Sequence, residues 1–130
     1  LMCGTGRAQI VRAAEEAIAY QCCDVVAAMQ ADSRHPVSRL RVDGGASSDD
    51  FLMQFQADLL GIPVIRPACV ETTALGAAYL AGLSSGIYQS QDELSALWKA
   101  DRRFMPTQDK SRADDLMARW EQAVRQTTAR

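Results

Sequence analysis

The sequence predicts an α/β fold, and an incomplete one. Helical and strand-like segments alternate in the order helix, strand, turn, helix, strand, helix, followed by further helices, the pattern of a parallel sheet layered with helices. The apolar run ending at Asp43 breaks on Gly44-Gly45 directly before a helix start. Only two clear strands, with Arg103-Phe104-Met105 as a third candidate, serve helices too apolar for so small a sheet. A parallel pair covered on both faces normally belongs to a larger sheet. With Leu1 starting almost at a helix cap, the expectation is that these 130 residues are the carboxyl-terminal part of a longer protein whose remainder supplies sheet neighbours.

From Arg7 to about Asp32, Ile10, Val11, Ala14, Ile18, Cys22, Val25 and Met29 recur every three or four positions, which predicts a long amphipathic helix with Thr5 as its cap. Ser33-Arg34-His35-Pro36 ends it. Val37 to Asp43 follows as a strand in which Leu40 and Val42 alternate with Arg39 and Arg41. Ser47 or Ser48 then caps a helix whose apolar face is Phe51, Leu52, Phe55, Leu59 and Leu60, and Gly61 stops it. Ile62-Pro-Val-Ile65 is a short strand that begins at Pro63 or lies at a sheet edge. Thr72 or Thr73 caps a third helix running through Ala74, Leu75, Gly76, Ala77, Ala78, Leu80 and Ala81, small residues that imply close packing against a neighbour. Ser90-Gln-Asp-Glu93 is a capping box for a short helix through Trp98. A last helix from about Ser111 to Thr127 buries Leu116, Met117, Trp120 and Val124.

The bulk numbers narrow the function classes. The chain has room for one domain, and its net charge of -2 gives no electrostatic case for nucleic acid or an anionic membrane. Cys3, Cys22, Cys23 and Cys69 form no C-x-x-C pair, so reduced thiols are expected rather than a disulfide framework or a zinc site. The longest small-apolar run, Ala74 to Leu83, is too short to span a bilayer, and nothing at the amino terminus resembles a signal peptide. A soluble cytoplasmic protein is expected.

The Asp43-Gly44-Gly45 turn carries most of the functional signal. A strand that breaks on glycines before a helix brings backbone N–H groups and the positive end of a helix dipole to one point, which favours a phosphate. A tight strand-to-helix turn with no ligand fits the same residues. The P-loop spacing G-x-x-x-x-G-K-[S/T] is absent, and Gly4-Thr-Gly6 lacks the third glycine and preceding strand of a dinucleotide fingerprint. Asp43 fits a strand-end turn or a group that orients a metal-bound water. Asp49 and Asp50 fall in the first helical turn, where acids complement the dipole. His35, the one histidine, has no identifiable Ser or Cys and acid partner, so a nucleophilic triad is not supported. Trp98, Phe104 and Trp120 read as core anchors.

Three longer stretches resemble a known family. Leu40-Arg-Val-Asp-Gly-Gly-Ala46, Phe51-Leu-Met-Gln-Phe-Gln-Ala-Asp-Leu-Leu-Gly61 and Glu71-Thr-Thr-Ala-Leu-Gly-Ala-Ala-Tyr-Leu-Ala-Gly82 resemble the carboxyl-terminal domain of the FGGY carbohydrate kinases, the glycerol kinases in particular. Ala19-Tyr-Gln21, Asp24-Val25, Met29 to Asp32, Phe104-x-Pro106 and Trp120 to Val124 are similar to it as well, so the likeness covers nearly all of residues 1–130. The resemblance implies a ribonuclease-H-like, actin-like domain with ATP and a polyol bound between it and an amino-terminal part. It implies transfer of the γ-phosphoryl of ATP to glycerol with Mg²⁺. It assigns nucleotide contacts to Gly44, Gly45, Ala46 and Asp49, with no catalytic and no metal-binding residue in this chain, which alone should be inactive. Asp49 departs from the Asn usual at that position; a carboxylate only accepts hydrogen bonds, so weaker nucleotide binding is expected. Another sugar kinase, such as one acting on a pentulose, and a non-catalytic interaction module are the alternatives. Unpaired strand edges and apolar surface lead to an expected homo-oligomer.

Overall fold

The computed structural model describes residues 4–129; Cys3, one of the expected free thiols, lies outside them. The element order is α1 (Arg7–Ser33), β1 (Leu40–Arg41), a 3₁₀ turn (Gly45–Ser48), α2 (Asp50–Leu60), β2 (Val64–Pro67), α3 (Thr72–Ser84), α4 (Gln91–Leu97), β3 (Ala100–Phe104) and α5 (Lys110–Thr128). The sheet order is β1-β2-β3. β1 runs parallel to β2, pairing Leu40 with Val64, and β3 runs antiparallel to β2, pairing Val64 with Phe104. Arg103 and Phe104 of the third strand candidate are therefore the end of a real strand, with Met105 just past it, and β2 is central. Pro63 lies just ahead of β2, where its carbonyl accepts from the Leu40 N–H at 2.9 Å and its missing donor costs nothing. β1 is much shorter than the expected Val37–Asp43; only Leu40 and Arg41 have a paired partner in register.

One face of the sheet carries the core. Val64 and Phe104 pack with Leu52, Met53, Phe55, Ala57 and Leu59 of α2, Ala19, Tyr20 and Cys23 of α1, and Ala113 of α5. Tyr20 joins the three helices. Its ring meets Phe55 edge-on at 5.6 Å and stacks on Trp120 at 5.3 Å, and Trp120 Nε1 donates to Asp24 at 2.8 Å. Trp120 is half-buried, whereas Phe104 is a full core residue. Gly61 ends α2 at φ 65°, as expected of a left-handed cap.

Several expectations are corrected by packing. The N-cap of α1 is Gly6, not Thr5, and the Gln9 side chain accepts the Gly6 N–H at 3.0 Å. The expected stripe of α1 is its outer face: Ile10, Val11, Ile18, Val25 and Met29 are exposed, while Ala19, Tyr20, Cys23 and Val26 are buried. Val124 of α5 is likewise exposed. The cap of α2 is Asp49 rather than Ser47 or Ser48, because the two serines lie inside the 3₁₀ turn. Glu71, not a threonine, precedes α3. In α3 only Gly82 is buried, against the Tyr88 ring. The neighbour that its small residues call for is not among the described residues.

Candidate functional site

The carboxyl ends of the two parallel strands point the same way, and the Gly-Gly turn leaves β1 at that end. Open α/β sheets bind ligands there. Gly44 adopts φ 74° and ψ 175°, a conformation that only glycine takes without strain. Its N–H donates to Val70 O at 2.8 Å, and its carbonyl accepts both the Ser47 N–H at 3.1 Å and the Ser47 hydroxyl at 2.7 Å. Ser47 is buried, so the turn is built around its side chain.

Gly45 and Ala46 differ from Gly44. Both are exposed, and among the described residues their N–H groups have no acceptor. A Cβ added at Gly45 would meet nothing within 4 Å, and its φ lies outside the left-handed range. Neither backbone strain nor a neighbour inside the chain requires glycine at 45. The position opens onto free space.

Asp49 follows as the N-cap of α2. Its Oδ1 accepts from Phe51 N at 2.9 Å and Leu52 N at 3.1 Å, which leaves Oδ2 without a partner among the described residues. Asp50 turns the other way. It bridges Arg66 Nη1, at 2.8 Å, and Arg102, two cations that stand opposite each other across β2 and β3. Like charges at paired positions destabilise a sheet unless compensated, and Asp50 supplies the compensation. Asp101 takes the Arg66 Nε at 2.8 Å. Hydrogen bonding by Asp101 and then Asp50 raises the Arg66 pKa, so this guanidinium stays charged throughout.

Asp43 points to the opposite side of the turn, where its carboxylate accepts from the Thr72 hydroxyl at the start of α3. Beyond it, on the second face of the sheet, a cavity of about 610 Å³ lies among Arg41, Pro67, Thr72, Leu75, Tyr79 and Trp98. Trp98 is a wall of this cavity rather than a core anchor; the Arg41 guanidinium lies 4.3 Å from its ring centre. His35 is an exposed turn residue whose N–H donates to Ser33 Oγ at 3.2 Å. The structure thus brings Gly44, Gly45, Ala46 and Asp49 into one turn. Arg66 and Thr72, which no motif marked as turn contacts, hold it from two sides.

Residues 3–85 match the FGGY family of carbohydrate kinases, C-terminal domain. Glycerol kinases of Delftia acidovorans and Verminephrobacter eiseniae are 70% and 63% identical over 128 and 131 residues, covering 95% and 98% of the chain. The chain spans about a quarter (26%) of the length of these curated relatives. Among solved structures, Plasmodium falciparum glycerol kinase with ADP superposes over 100% of the chain and 26% of its own, with a TM-score of 0.85 and 32% identity. Xylulose kinase from Rhodospirillum rubrum covers 98% of the chain and 26% of its own, at TM-score 0.73 and 28% identity. The sheet with its packed helices is therefore the incomplete carboxyl-terminal domain that the resemblance implies.

Proposed function

Because this chain belongs to the FGGY family of carbohydrate kinases, we propose that it forms the nucleotide-facing wall of an ATP-dependent glycerol kinase, with Gly44, Gly45, Ala46 and Asp49 as the contact residues. The observation that carries this reading is the pair of N–H groups at Gly45 and Ala46, exposed and without an acceptor among the described residues, with open space around Gly45. Such donors satisfy an anionic oxygen at no reorganisation cost. The ADP bound in the Plasmodium relative and the glycerol kinases at 63–70% identity support the choice of nucleotide and of polyol.

In this reading the chain binds and orients; it does not itself carry out the proton transfer. Phosphoryl transfer depends on positioning the two substrates and neutralising charge. The turn fixes one end of the nucleotide. The glycerol site and the general base belong to the amino-terminal part of the same kinase, which packs on the exposed α1 and α3 faces. Mg²⁺ arrives with the nucleotide phosphates, and cytoplasmic glycerol metabolism is the setting. A pentulose kinase shares the fold, but the level of identity to glycerol kinases favours glycerol.

Calorimetric titration of the chain with Mg·ATP tests the site. Saturable binding is expected. Gly45→Val should weaken it at least about tenfold, roughly 1.4 kcal/mol, with little change in melting temperature, since a Cβ there meets nothing within 4 Å. Equal ATP affinity in the variant overturns the assignment.

A further inference from the structure

We infer that Arg66 is a positioning residue for the Gly44–Ser48 turn, an inference whose functional half rests on the nucleotide reading above. Three bonds from one guanidinium support it. Nη1 donates to Ser47 O at 3.0 Å and to Asp50 Oδ1 at 2.8 Å, and Nε donates to Asp101 Oδ2 at 2.8 Å. A single side chain on β2 thereby ties together the turn, the first residue of α2 and β3.

The bond to Ser47 O matters most, because Ser47 is the residue around which the turn is built. Its N–H and hydroxyl both converge on Gly44 O, next to the free Gly45 N–H. The chain of bonds from Arg66 through Ser47 to Gly44 therefore sets the direction in which the two unpaired donors point. The two carboxylates hold the guanidinium in place: Asp50 and Asp101 are about half exposed, at 52% and 50%, while the Arg66 side chain is 13% exposed. Arginine is required because its fork reaches acceptors in separate directions at once; the single ammonium of lysine cannot hold the same three.

The test compares Arg66→Lys, Arg66→Ala and Asp101→Ala in the 130-residue chain, by amide hydrogen exchange and by ATP titration. In both Arg66 variants, exchange at the Ser47 and Asp49 amides should accelerate, while the Met53 amide of α2 and the amide of its C-cap, Gly61, keep their protection. ATP affinity should fall about five- to tenfold. Asp101→Ala, which leaves the Ser47 bond in place, should leave exchange at Ser47 near its original rate. Unchanged exchange at Ser47 and Asp49 in the Arg66 variants overturns the inference, and so does equal acceleration in Asp101→Ala. A wild-type chain that ignores ATP sinks the nucleotide reading instead, and the exchange data still decide the role of Arg66.

Discussion

Asp49 carries two roles on two different oxygens. Oδ1 caps α2, and Oδ2, without a partner among the described residues, faces the ligand in the proposed site. Asparagine keeps the capping oxygen and exchanges the other for a donor. Asp49→Asn should therefore change unfolding free energy by less than about 0.5 kcal/mol while tightening ATP binding; Asp49→Ala should cost about 1 kcal/mol through the lost cap. Chemical denaturation alongside ATP titration checks both, and an Asn variant with unchanged ATP affinity refutes the charge argument. The cysteines make a second contrast. Burial, then neighbouring Cys22 and Asp24, push the Cys23 thiol up to about 12 from 9.0, whereas Cys69 is exposed. Alkylation at pH 8 followed by peptide mass analysis should label Cys69 early and Cys23 only after unfolding. Because the unfolded thiol ionises first, the contribution of Cys23 to stability is intact below pH 9 and is lost as pH rises towards 12. The residues legible in the sequence were those with a local signature, such as Gly44 and Gly45. Arg66 had none, because its importance comes from acceptors 16, 19 and 35 positions away.

At the scale of elements, helices and their order were legible, and the faces they bury were not. In α1 the period of Ile10, Ile18, Val25 and Met29 is genuine, but within this chain those residues face outward. Periodicity reports an apolar stripe without naming its partner. A helix covered on two sides carries two stripes, and only the one through Tyr20 has its partner here. The strands were harder to delimit, since two to five paired residues leave little alternation to count. The two faces of α1 should respond differently to mutation. Trp120→Ala, which removes the Tyr20 stack and the bond to Asp24, should destabilise the chain by about 2–3 kcal/mol, below the full-burial value because Trp120 is only partly buried. Ile18→Ser and Val25→Ser should each stay within about 0.5 kcal/mol. Urea melts of the chain measure all three, and comparable losses would show that the outer stripe is packed after all.

At the scale of the whole molecule, the surface is too large for a self-sufficient domain. The chain exposes 9354 Å², where a compact monomer of its mass would expose roughly 6800 Å². The excess includes the outer stripe of α1, Leu80 on α3, and the outer edges of β1 and β3. Apolar surface and open edges invite pairing with another chain. We therefore expect the isolated chain to self-associate, with light scattering giving an average mass that rises with concentration. A single monomeric species at high concentration would refute this.

The Gly44–Ser48 turn has one more consequence, and it concerns the thermodynamics of binding. Val70, Ser47 and Arg66 have already fixed its backbone, so its conformational entropy is surrendered on folding rather than on meeting a ligand. A nucleotide docking there would find a rigid wall. Its association should then proceed in a single kinetic phase, without the slower step of a loop that must first choose its shape.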